Sequence, residues 1–428
     1  MNEETRQFIR THRTPDTDIR RLAMQAARYP QVNMPLAAEQ IAGWQTALRK
    51  LPAWAATEGL LFPPRISMEQ CSSEPAARYK AALCERILKA AGIDRSTARM
   101  ADLTGGFGVD FSYMAQAFGK ADYVEQQEIL CQRAQHNFPL LGLSEKARIH
   151  HCTTEEYLSD LAAPIHLFYL DPARRDRQGG RVTALEDCTP DITLLLPELL
   201  RKARYTLLKL SPMLDLAALA RQLPGTICEA HIVAVEGECK ELLLLLSDPA
   251  AQPAIPAAED AAAPRPDKDF PLTAVEIYPG RPTLSLRFRR SSEQMAACPH
   301  ALPPADTPAY LYEPGSALLK AGALRLCAER YGLTKLSRES HLYHSVECRK
   351  DFPGRCFRLE QIAGFGKQNL KQLLQGATKA NLTVRGFPQS VDQLRRRLKL
   401  KEGGEIYLFA ATAPDGKHIL LRCRKPES

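Results

Sequence analysis

The stretch RMADLTGGFGVDFSYMAQAF, Arg99 to Phe118, decides the fold. ARMADL is a short apolar run with the length of a buried strand, and DFSYMAQAFG behind it has the spacing of a helix. Between them glycine fills three of five positions, Gly105, Gly106 and Gly108. Glycine has no Cβ, so such a loop lets backbone come close to a ligand. The spacing is not the GxGxxG of a pyrophosphate loop, and neither GKS nor GKT occurs in the chain. Asp102 stands at the strand end, where its carboxylate would repel a pyrophosphate but accept hydrogen bonds from an ammonium. Asp102, Thr104, Gly105, Gly106 and Gly108 are therefore expected to cradle a cofactor with an amino-acid tail and no phosphate.

Strand and helix patterns alternate downstream. Glu125 ends ADYVEQ, seventeen positions after Gly108, where a carboxylate can take both hydroxyls of a ribose. ARIHHC predicts a third strand, followed by CTTEEYL, in which Thr153 or Thr154 can cap the next helix and approach an adenine. IHLFYLDP predicts a fourth strand ending at Asp171, and YTLLKLS a fifth. EAHIVAVEGECKELLLLLS predicts two strands around a tight Glu236–Glu238 turn. Strands separated by helices imply a parallel α/β sheet of Rossmann type with right-handed crossovers, and the closing hairpin adds one antiparallel strand. In open sheets of this kind ligands gather at the C-terminal strand ends.

The 428 residues, 45% hydrophobic and 25% charged, predict a multi-domain globular protein. Residues 1–75 read as a helical N-terminal region, 76–247 as the core, and 248–271 as an Ala/Pro-rich linker. A small α+β segment, 272–344, and an α+β module, 345–428, complete the chain. No apolar run approaches a membrane span, and MNEETRQFIRTHRT lacks an apolar signal core, so a cytoplasmic protein is expected. Twelve cysteines without a CxxC pair suit reduced thiols. In HLYHSVECRKDFPGRC the spacing of His341, His344, Cys348 and Cys356 matches no zinc finger, and the two histidines are expected on one helix face. No metal is expected. The net charge of +8 is segregated: residues 345–428 hold 17 Lys and Arg against 8 Asp and Glu, leaving 40 basic and 41 acidic residues elsewhere. That surplus predicts a polyanion-binding module, with an ordinary solvated surface as the alternative.

The order of these motifs, from Glu69 to Ser247, resembles the class I S-adenosylmethionine-dependent methyltransferases. The resemblance implies that Asp102 and the three glycines surround the methionine tail and that Glu125 binds the ribose. It places Thr153 near the adenine, although an acidic residue is common there, and Asp171-Pro172 along the methyl-transfer site. SMEQCSSEPAARYKAAL is similar to the segment before the glycine motif in trimethylguanosine-synthase-like RNA methyltransferases. That similarity implicates Gln70, Ser73 and Glu74, for which a plain helix N-cap is the alternative. The whole layout resembles a bacterial methyltransferase family with a ferredoxin-like insert and a THUMP-like C-terminal domain. KANLTVRGFPQSVDQLRRRLKLKEGGEIYLFAAT carries that likeness, and it implies an RNA substrate, tRNA or rRNA, held by residues 345–428.

DPARRD is similar to the motif of uracil-C5 RNA methyltransferases, which also need a cysteine after strand five. KLSPML has Ser211 there, which leaves direct in-line displacement with Asp171 as a candidate base. Arg174 and Arg175 suit an oxyanion of the substrate, or ion pairs with Asp176 or Glu186. Two other functions compete: a methyltransferase acting on a protein or small metabolite, and a non-catalytic RNA-binding protein with a vestigial cofactor fold. The set Asp102, Glu125 and Asp171 argues against the last, and the basic end favours RNA over the former.

Overall fold

The computed structural model describes residues 1–174, 185–250, 269–304 and 307–426. Arg175, Asp176 and most of the Ala/Pro-rich segment lie outside them. Two compact units emerge, Met1–Cys228 with Leu242–Lys268, and Glu229–Glu241 with Asp269–Ser428.

The first unit opens with helices. Asn2 caps α1 (Glu3–His12) and Asn33 caps α2 (Met34–Lys50), each side chain accepting a backbone N–H. Phe8, Ile9, Met34, Ala37 and Ile41 meet in a small apolar cluster. Within the region 1–75 that the sequence reads as helical, DTDIRRLAMQAARY is helical only over Ile19–Ala23, with one 3-10 turn at Ala26–Arg28. Only Leu22 is buried in those two elements, too little apolar face to hold a longer helix. In α3 (Glu74–Ala90), Ala76, Ala77, Lys80, Leu83, Cys84, Ile87 and Leu88 are buried at helical spacing. One member of that face is a lysine.

The alternating pattern produces β1 (Arg99–Asp102), α4 (Val109–Met114), β2 (Lys120–Glu125), α5 (Glu128–Leu140), β3 (Ala147–His151), α6 (Thr154–Asp160), β4 (Ile165–Leu170), α7 (Ile192–Lys202) and β5 (Ala203–Leu210). The parallel order is β3-β2-β1-β4-β5, pinned by registers such as Asp102 opposite Tyr123 and Tyr169. Both faces of such a sheet are covered by helices. After β6 (Ile227–Val235) the chain turns at Glu236 and Gly237, both left-handed at φ 54° and 80°, into β7 (Glu238–Leu246). Leu242–Leu246 runs antiparallel to β5, the reversed strand that the hairpin predicted. The parallel strands bring Asp102, Glu125 and Asp171 to one edge.

In the second unit β6 pairs in parallel with β8 (Leu272–Ile277), itself antiparallel to β9 (Leu284–Phe288). ALLKAGALRLCAERYG, whose apolar spacing would suit one helix, forms two, Ser316–Ala321 and Leu324–Tyr331, broken at Gly322 with φ 75°. Glycine there adopts the left-handed conformation that ends a helix. A separate seven-stranded sheet contains β10 (Ala309–Pro314), β11 (Tyr343–Ser345), β12 (Gly354–Gly364), β13 (Asn381–Arg385), β14 (Tyr407–Thr412) and β15 (His418–Arg424). His344 lies in β11, paired with Leu311, so it shares no helix face with His341; its ring Nε2 meets the Ala301 carbonyl at 2.9 Å. Two helices accompany these strands, α8 (Lys367–Leu374) and α9 (Val391–Leu398). The latter carries a capping box, Ser390 with Gln393, and is anchored by Leu394 and Leu398. Lys399, four positions after Arg395, does not continue the helix. It is the C-cap, left-handed at φ 55°, so it leaves the face of Arg395. Among the described residues no helix is long and apolar enough to cross a membrane.

Candidate functional site

The glycine loop is fixed by β2 on one side and by the N-terminal helices on the other. A Cβ on Gly105 would lie 2.3 Å from the Tyr123 ring, and one on Gly108 would lie 2.9 Å from Phe138. Gly106 and Gly108 have φ of 56° and 82°, so both positions favour glycine on backbone grounds too. Gly105 donates its N–H to the Val124 carbonyl, and Gly106 donates to Glu125 Oε2 at 2.8 Å. The other oxygen of Glu125, Oε1, accepts from the Gln127 N–H at 2.8 Å. Glu125 therefore ties the loop to the end of β2. Phe107, the apolar residue inside the loop, meets the Trp54 ring at 4.9 Å within a cluster of Leu51, Leu60, Phe62 and Met68. The N-terminal helices thus brace the loop.

Asp102 is 1% exposed and accepts the Thr104 N–H at 3.0 Å. Burial pushes its carboxyl well above the usual carboxylate range; the Thr104 bond opposes this, and the neighbouring charges of Asp110, Asp171 and Glu125 reinforce it. Thr104 Oγ1 accepts the Asp171 N–H at 2.6 Å, joining the ends of β1 and β4. Asp110, in the first turn of α4, sits between two ammonium groups: Lys80 Nζ is 3.1 Å from Oδ1 and Lys209 Nζ 3.8 Å from Oδ2. Ser72 and Tyr169 hydroxyls donate to Asp110 Oδ2 at 2.8 and 2.7 Å. Burial alone would raise the Asp110 carboxyl, but Lys80, Lys209 and these hydroxyls outweigh it and hold it low. Lys209 also reaches Asp171 Oδ2 at 2.6 Å.

The remaining sequence candidates divide. Thr153 caps α6 in a capping box with Glu156, and Thr154 is buried with its hydroxyl on the Leu103 carbonyl at 2.7 Å. Ser73 occupies the N-cap of α3, yet its hydroxyl makes no cap bond and is buried without a hydrogen-bond partner. The hydroxyl that works is that of Ser72. Glu74 Oε2 accepts the Ala53 N–H at 2.8 Å and Oε1 accepts from Arg78, which is support for α3. Gln70 is exposed at the end of a short helix, Arg65–Gln70. Pro172 is buried, and Arg174 lies in a two-residue strand paired with Cys188 and Thr189. Lys80, Asp110, Tyr169 and Lys209 were not singled out from the sequence. One signal was legible: a lysine in the apolar strand YTLLKLS, and another on the buried stripe of α3, are charges where the pattern calls for apolar side chains.

Comparison with known proteins adds two family models. One described as THUMP domain-like matches residues 354–425, and one described as a ferredoxin-like domain matches residues 310–353. A crystal structure of a Porphyromonas gingivalis W83 protein classed as a methyltransferase is 34% identical, covers 99% of this chain and 98% of its own, and superposes with TM-score 0.80. Weaker likenesses include a protein of Pyrococcus horikoshii classed as an RNA methyltransferase, at 14% identity, 37% and 70% coverage and TM-score 0.27. An rRNA methylase from Streptococcus thermophilus stands at 15%, 39% and 94%, and TM-score 0.29. Likenesses this weak carry no argument. No curated protein matches the chain significantly.

Replacing Glu125 with alanine removes the acceptor of two backbone N–H groups at the loop. Unfolding in urea should show a loss of about 2–4 kcal/mol. A loss below about 0.5 kcal/mol, the level of an ordinary surface change, would contradict the anchoring role.

Proposed function

Since the chain belongs to the bacterial methyltransferase family that ends in a THUMP-like domain, we propose that it moves the methyl group of S-adenosylmethionine onto a structured RNA, tRNA or rRNA. One observation carries the cofactor half of this reading. Lys80 and Lys209 are already engaged with Asp110 and Asp171, while Asp102 is buried among like charges. The partner that relieves Asp102 is a cation, and the methionine tail of S-adenosylmethionine brings an ammonium. At Gly106, left-handed at φ 56°, the nearest atom to an added Cβ would be the Thr104 carbonyl at 3.7 Å, so a ligand can lie against backbone there. The residues present fit the group.

Bound, the cofactor supplies an electrophilic methyl on sulfur. The chain's own residues do the rest. Asp102 takes the ammonium, and Thr104, Gly105, Gly106 and Gly108 form the floor. Glu125 receives the ribose hydroxyls on oxygens that still have acceptor capacity beyond the Gly106 and Gln127 N–H groups. Thr153 is assigned to the adenine end, and Gln70 and Ser73 to the cover of the site. Asp171 and Pro172 are assigned to the acceptor side, and Arg174 to a substrate oxyanion. Ser211 offers no thiolate, so the acceptor attacks directly.

The titration of Asp102 gives a test with a definite sign. Its carboxyl is raised in the free protein, and an ammonium favours the ionised form, so binding must expel a proton wherever Asp102 is protonated. Affinity for S-adenosylhomocysteine should rise with pH and level off once the free-protein value is passed. Calorimetry should show that Asp102→Asn binds weakly and without this dependence. A wild-type affinity flat from pH 5 to 9 would remove Asp102 from the site.

The RNA half rests on the THUMP-like segment and its basic surface. Arg395 is partly committed, its guanidinium facing the Ala380 carbonyl and Glu402, whereas Arg396, Arg397, Lys399 and Lys401 are exposed. If these groups neutralise phosphates, tRNA affinity should fall with salt at a log–log slope of about −3 to −6. Arg396→Glu with Lys399→Glu should weaken binding severalfold and flatten that slope, with S-adenosylhomocysteine affinity unchanged. An unaltered slope in the double variant would leave the basic surplus as ordinary solvation.

A further inference from the structure

We propose that Lys209 is a positioning residue of the methyl-transfer site: it fixes the Asp171 carboxylate so that Asp171 accepts the N–H or O–H of the methyl acceptor. The chemistry of this role rests on the methyltransferase reading above, and its geometry does not.

Lys209 sits on β5 among Leu207, Leu208 and Leu210, all buried, and its own side chain is 12% exposed. An ammonium in such a place is costly unless several acceptors surround it. Among the described residues three do: Asp171 Oδ2 at 2.6 Å, Ser72 Oγ at 3.1 Å and Asp110 Oδ2 at 3.8 Å. A purely structural ion pair would be completed by Asp110, the more buried carboxylate. Asp110 is instead shared, because the fully buried Lys80 holds its Oδ1, and Ser72 and Tyr169 load its Oδ2. The shortest contact of Lys209 therefore goes to Asp171, whose side chain is 38% exposed beyond the end of β4. Two ammoniums face two carboxylates, and the outermost carboxylate faces solvent.

The consequence is orientation. The lysine stem is clamped along a central strand, and Thr104 holds the Asp171 backbone N–H at 2.6 Å. Both ends of Asp171 are fixed, so a hydrogen bond to it sets the direction of the acceptor's lone pair. Lys209 acts through Asp171 and need not touch the substrate.

The test uses the full chain, labelled S-adenosylmethionine as methyl donor, and RNA, protein and small-molecule fractions from cells lacking the gene. Lys209→Met keeps the stem and removes the charge. Its kcat should fall about 100-fold, the scale of a misplaced reacting group, with KM for S-adenosylmethionine within about twofold of wild type. Lys209→Arg should recover most of that loss. Wild-type kcat in Lys209→Met overturns the proposal, as does a loss confined to KM. Should Lys209→Met not fold, nitrogen-15 spectra of the lysine ammonium groups decide the geometry in Asp171→Asn. The Lys209 signal, identified by its absence in Lys209→Arg, should shift and exchange faster; an unmoved signal overturns the Lys209–Asp171 coupling. Failure of every fraction to take label from wild type instead overturns the methyl-transfer reading, and the catalytic role with it.

Discussion

Asp110 between the fully buried Lys80 ammonium and the largely buried Lys209 ammonium is the constraint on which the site depends. Lys80 comes from α3, Lys209 from β5, Tyr169 from β4 and Ser72 from the segment ahead of α3, and all four meet one carboxylate at the start of α4. Removing one partner of such a buried set leaves an uncompensated charge, at a cost of about 3–5 kcal/mol. Five parts of the chain are thereby held to one geometry. With those charges matched, Asp102 is left as the carboxylate that wants a cation. The electrostatic character of the site follows from which pairs are already made.

The same logic qualifies the basic end of the chain. Composition gives residues 345–428 a surplus of positive charge, but part of it is paired internally. Arg355 and Arg385 both pair with the buried Glu313, and Arg422 and Arg424 both pair with Glu360. Lys367 and Lys371 on α8, Lys379, and Arg396, Arg397, Lys399 and Lys401 at and beyond α9, are among the exposed cations. A polyanion would meet the exposed cations, since only exposed charge contributes to counterion release.

Much of the first unit was legible in the sequence. Strand and helix periods differ, and glycine marks the loop, so the parallel strands and the strand-end carboxylates could be placed from pattern. The C-cap at Lys399 and the break at Gly322 were not, because one left-handed residue ends a helix without disturbing its apolar spacing. Ser72 and Ser73 show a different limit. Adjacent hydroxyls are equivalent in sequence, and only packing decides that Ser72 joins the charged network. Lys80 and Lys209 are 129 positions apart, and nothing local announces that both reach Asp110. The brace of Trp54 on Phe107 is hidden for the same reason.

The central claim is that this site is built around a ligand's positive charge at Asp102. The most direct measurement compares S-adenosylhomocysteine with 5′-methylthioadenosine, which keeps the nucleoside and lacks the amino-acid tail, by calorimetry on the same protein. The account predicts that loss of the charge-assisted contact weakens binding by about 100-fold or more. Equal affinity for the two ligands would contradict it.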